Sequence, residues 1–121
     1  MQSNTTSDPH FIGHRQRLKQ KFLISNHKDF ADYELLELVL FNSIPRKDVK
    51  PLAKKLLQDF GNLRSVIATS EDKLLAIEGI THSTYINFAV MNEILNRSLQ
   101  SQIMKKNILS SWAALMDYLR I

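Results

Sequence analysis

Between Leu52 and Asn96 the chain repeats one local pattern, short runs of helical apolar spacing cut by single breakers, and this limits it to a stack of short helices. A first run ends at Phe60-Gly61, where glycine suits a helix C-terminus because it reaches left-handed backbone angles at little cost. A short run carrying Leu63, Val66 and Ile67 follows, and Ser70 then opens a third run as an N-cap ahead of the acids Glu71 and Asp72. That run stops at the turn Glu78-Gly79-Ile80-Thr81, and another helical run starts at once.

Two helices joined by such a turn read as a helix-hairpin-helix unit. There the turn aims the free N–H groups of the second helix at a phosphate, which the helix dipole also favours. The usual turn is Gly-apolar-Gly, but its second glycine is Thr81 here. The following helix carries no Lys or Arg before Arg97. The fold pattern is therefore stronger than the binding pattern. A hydroxyl of Thr81 or Ser83 that caps the helix would also occupy donors a phosphate needs.

The rest of the chain agrees with an all-α reading, a small helical domain of helix-hairpin-helix type with a short C-terminal helix. Residues 1–13 lack apolar periodicity and are expected to form a flexible tail. A helix from His14 to Ile24 carries Leu18 and Phe22 on a narrow apolar stripe. Asp32 is expected to cap a helix from Tyr33 to Asn42 that is apolar on nearly every face and should lie centrally. Ile44-Pro45 breaks it, and Asp48 caps the next helix from Val49, with Leu52, Leu56, Leu57 and Phe60 on one side. The expected core is Leu35, Leu36, Val39, Leu56, Leu57, Phe60, Leu75, Ile77, Ile80 and Val90. Residues 99–107 read as a polar, basic linker, and Ser110-Ser111 then caps a last helix with Trp112, Leu115, Met116 and Leu119.

Composition narrows the function classes. With 121 residues the chain holds one modest core, and with no cysteine it has neither disulfides nor a thiolate nucleophile. Sixteen Lys and Arg against twelve Asp and Glu leave +4, compatible with nucleic acid but mild for a dedicated binder. No apolar run approaches the ~20 residues of a membrane span, so no membrane partner is expected and the cytoplasm is the expected compartment. His10, His14, His27 and His82 include no His-x-His or His-Glu-x-x-His pair, so neither a metal nor any other cofactor is expected. His10 and His14 are four apart, but Gly13 interrupts them. Asp32, Glu34 and Glu37 are more simply capping and edge residues than a catalytic pair.

HRQRLKQKF, DYELLELVLFNSIPRKDVKPLAKKLLQDFGNLRSVIA and LLAIEGI, taken in order, resemble the N-terminal helical region of the RadC family, the UPF0758 type, over about residues 14–98. The resemblance implies a helix-hairpin-helix-like module ahead of a JAB/MPN metalloprotease-like domain, whose glutamate and His-x-His…Asp zinc motif this sequence does not contain. The division it suggests is a tail at 1–13, the helical domain at 14–98, and a linker with the truncated start of a JAB/MPN domain at 99–121. No enzyme activity is expected of the chain.

Binding candidates remain. Lys47, Lys50 and Lys54 share a helical face, Arg15 and Lys19 lie on the basic first helix, and Gly79 and Thr81 form the hairpin. Each has a plain alternative as solvated charge or structural turn. Tyr85, Phe88 and Trp112 are interface candidates, because the helix from Ser83 carries more apolar residues than one buried face needs. Two functions stay open. One is weak, nonspecific DNA contact through backbone phosphates. The other is a protein-interaction or regulatory module, or the inactive remnant of a gene, whose partner would be a second copy or a separate JAB/MPN-type chain.

Overall fold

The computed structural model describes residues 3–120, with side chains from residue 13 onward. Among the described residues six α-helices follow one another: α1 (Ser3–Ile24), α2 (Asp32–Leu40), α3 (Lys50–Phe60), α4 (Leu63–Ile67), α5 (Glu71–Leu75) and α6 (His82–Leu119). A 3-10 turn, His27–Asp29, joins α1 to α2, and there is no strand among the described residues. The all-α expectation holds. The chain divides into two compact units, Met1–Ala89 and Val90–Ile121.

In the first unit α2 packs on α1 and α3, and α3 on α4. Leu36, Leu40, Ala53, Leu56, Val66, Leu74 and Phe88 are buried to 1% exposure or less. Ile80 closes the hairpin from within, at 8%. Fully burying one Leu or Phe side chain is worth about 1.5–3 kcal/mol, so these residues dominate the unit's stability. Leu35, Val39, Leu57, Phe60, Leu75 and Ile77 are half-buried around them. Val90, expected in the core, is 51% exposed. It lies two residues beyond Phe88, about 200° further round a helix, so it faces away from the side that Phe88 buries.

The breakers act largely as their chemistry requires. Gly61 (φ +103°) and Gly79 (φ +96°) hold left-handed backbone angles at the ends of α3 and of the turn after α5. Asn62 caps α4 by accepting the Ser65 N–H at 2.8 Å. Asp48 accepts the Lys50 N–H at 3.1 Å, close to its expected role, although Val49 is the N-cap. Asp32 is not a cap: Ala31 is the N-cap of α2, and Glu34 three residues on accepts the Ala31 N–H at 3.0 Å. A carboxylate one turn inside the helix thus replaces the expected cap side chain.

Two segments are helical where the sequence suggests otherwise. α1 begins at Ser3 rather than His14, over residues expected to be a tail, and it runs through Pro9 and Gly13. Residues 99–107, expected as a linker, lie inside α6, which continues through Ser110-Ser111 without a break. No Gly or Pro follows Gly79, and the Gln, Met, Lys and Leu of this stretch are good helix formers.

Candidate nucleic-acid interface

The loop between α2 and α3 carries Arg46, Lys47 and Asp48, and it is anchored by Ile44 and Val49, both buried. Arg15 of α1 organises it. Its guanidinium donates to the carbonyl oxygens of Phe41 at 3.3 Å, Ile44 at 2.5 Å and Lys47 at 2.6 Å. The guanidinium carbon also stands 4.5 Å from the centroid of the Phe41 ring. Arg15, a candidate phosphate contact with solvated charge as its alternative, is neither: it is only 8% exposed and turns its donors on the loop. Burial pushes its pKa below the ordinary arginine value, partly offset by the Asp48 carboxylate. Lys19, one turn on, stays exposed with its ammonium 6.0 Å from the same ring.

The three lysines read as one face are divided. Lys50 and Lys54, both exposed, gather over Tyr33 with Nζ 5.7 and 4.9 Å from the ring centroid. Lys47 instead lines a shallow depression with Lys55, Val49 and Leu52, and Glu78 and Gly79 of the turn after α5 line it too. A cation loop and the hairpin therefore share one surface. Asp48 and Glu78 line the same depression, and Lys55 pairs with Asp59 at 3.2 Å, so its field is only mildly positive.

At the hairpin itself, the Tyr85 N–H bonds the Thr81 carbonyl at 3.1 Å, opening α6. Thr81 is exposed. Thr84, fully buried, shares a 2.9 Å hydrogen bond with Ser43, which pins the start of α6 to the chain just beyond α2. His82 Nδ1 lies 3.0 Å from a Glu71 oxygen, placing a carboxylate near the helix N-terminus where an anion would bind. Of the interface candidates, Phe88 is a core residue at 1% exposure, one turn after Thr84 on the same face. Tyr85 is half-buried, and Trp112 is 60% exposed.

Sequence reasoning missed the pair His14 and Glu37. Glu37 was read as a solvated edge residue, but it is fully buried and its Oε1 lies 2.8 Å from His14 Nε2. Nothing in helical spacing signals this, because the partners are on different helices. No group of three metal-ligating side chains converges among the described residues. The His10 half of the His10–His14 spacing lies outside the described side chains.

The described residues define a class, an all-α chain whose last helix opens just after a glycine turn. Comparison then places the sequence. Over 105 residues it is 39% identical to the UPF0758 protein SPO0054 of Ruegeria pomeroyi, a match taking in 87% of this chain and 47% of that protein. The matched region is thus similar to a protein of the UPF0758 type, and the chain spans about half the length of that relative. No protein-family model matches the chain, and no solved structure does. No helix among the described residues is long and apolar enough to cross a membrane.

Proposed function

We propose that the Met1–Ala89 unit is a non-catalytic, helix-hairpin-helix-like module that makes weak, sequence-nonspecific contact with nucleic-acid backbone phosphates. The observation that carries this reading is the depression shared by Lys47, Lys55 and Gly79. Its chemistry suits a single phosphate: Lys47 and Lys55 are among its lining residues, and Gly79 brings in the turn that leads to the first N–H groups of α6. Asp48, Glu78 and the Glu71–His82 pair limit the affinity, so contact belongs to the nonspecific range of about 10⁻⁴ to 10⁻⁶ M at physiological salt.

Electrophoretic shift on duplex DNA across a salt series tests it. Joint Lys47→Gln and Lys55→Gln substitution should weaken binding and lower the salt slope by about 1 per lysine. The pair Lys50→Gln and Lys54→Gln, held over Tyr33, should cost less. Thr81→Gly should strengthen binding by letting the backbone approach more closely. Wild-type affinity in the Lys47/Lys55 variant, or no binding by the native chain at low salt, overturns the reading.

A further inference from the structure

In the second unit α6 runs unbroken from Val90 to Leu119, and large apolar side chains stand exposed along it, one row of them in register. Ile94, Met104, Ile108, Trp112, Leu115 and Leu119 are exposed from 45% at Leu115 to 64% at Ile108. With Val90 at their head they recur at steps of three and four residues, and two positions interrupt the series, Arg97 and Ser101. At 3.6 residues per turn all nine positions fall within about 80° of arc, a straight seam along one side of the helix. A lone helix cannot bury such a seam on itself.

The polar positions identify the occupant. Both lie in the first half of the seam, whereas the half from Met104 to Leu119 is wholly apolar. A second copy aligned in parallel would set Arg97 against Arg97 and Ser101 against Ser101, stacking like charge on like charge and leaving the small residues unfilled. A copy aligned antiparallel about Met104 and Lys105 sets each defect against an apolar residue of the other half. Arg97 then meets Trp112 of the second copy, where a guanidinium on an indole face is favourable, and Ser101 meets its Ile108. Ile94 meets Leu115, and Val90 meets Leu119. The arrangement is two-fold symmetric, so it closes on itself as a dimer.

We propose that residues 90–119 of two copies pair antiparallel along this seam. The strip is about 45 Å long and about 10 Å wide, so the pair covers on the order of 900 Å² in total. That falls short of the roughly 1,200–2,000 Å² of stable complexes, which makes the pairing reversible and concentration-dependent. It does not depend on phosphate binding.

Sedimentation of the full chain tests it, reading mass from about 1 μM to about 1 mM, a range that brackets weak association. The mass should rise from 14.0 kDa toward twice that value. Ile108→Glu should hold it at the monomer, while Lys106→Glu on the opposite side should not. Circular dichroism should show both variants as helical as the native chain. Because the chain has no cysteine, single thiols report orientation cleanly. A mixture of Ser101→Cys and Ile108→Cys chains should cross-link to each other far faster than either chain cross-links to itself. A native chain that stays monomeric to the highest concentration overturns the proposal and assigns the seam to another occupant. Preferential Ser101→Cys self-cross-linking overturns the antiparallel alignment.

Discussion

Arg15 and His14 are adjacent in a run rich in cations, yet each serves a different buried task. Arg15 holds three carbonyls of the chain between α2 and α3, and a lysine offers one compact ammonium rather than a planar fork. Arg15→Lys should therefore destabilise the protein by about 1.5–3 kcal/mol in chemical denaturation, the range for hydrogen bonds to charged groups. His14→Ala strips the partner from a carboxylate at 0% exposure and should cost about 1–3 kcal/mol. Glu37→Gln, which keeps a side chain able to bond His14, should cost less than Glu37→Ala. At Glu34 the Ala31 N–H, and then Lys21 at 3.0 Å, hold the carboxyl below its ordinary pKa. A lowered folded pKa means this stabilisation is present above the ordinary glutamate value of about 4.3 and is lost as pH falls through the folded value. Glu34→Gln should leave a smaller drop in denaturation midpoint on acidification across that window, and an unchanged acid dependence would remove Glu34 from the account.

At the scale of elements, the turn after α5 is where backbone conformation and candidate function coincide. Gly79 sits at φ +96°, where a side chain is strained, although a Cβ there would meet only Leu52 Cδ2 at 3.8 Å. Gly79→Ala should cost about 1–2 kcal/mol from the backbone alone, read as a lowered denaturation midpoint. If Gly79→Ala left stability unchanged, the left-handed turn would not be a requirement of the fold. Positions of this kind were legible in the sequence: Gly61, Gly79 and Ser70 mark element boundaries because the physics of a helix end is local. The length of α6 was not legible, because polar residues at 99–107 suit a solvated helix as well as a linker.

For the whole molecule, the buried side chains among the described residues all belong to residues up to Phe88. From Arg97 to Arg120 every described residue is exposed except Met116, which is half-buried. A chain ending at residue 98 should keep the cooperative unfolding of the native protein, with a midpoint shifted by no more than the ~0.5 kcal/mol of an ordinary surface change. Thermal denaturation below the concentration at which copies pair is the measurement. A large loss of stability would mean that the removed residues support the core.

What the sequence by itself determined was the all-α class, most helix boundaries and a minority of the buried core, Leu36, Leu56 and Ile80, since periodicity and capping are properties of neighbours in the chain. The resemblance to the UPF0758 type was legible for the same reason, and a UPF0758 protein of Ruegeria pomeroyi is 39% identical over 105 residues. Tertiary structure decided which charges remain for a ligand. It withdrew Arg15 into the carbonyls of Phe41, Ile44 and Lys47, buried Glu37 against His14, and placed Phe88 in the core. It also divided the lysines, sending Lys47 and Lys55 to the hairpin and Lys50 and Lys54 to Tyr33. The reason is physical: a helical wheel states which side of its own helix a residue occupies, and burial depends on what another helix brings to that side.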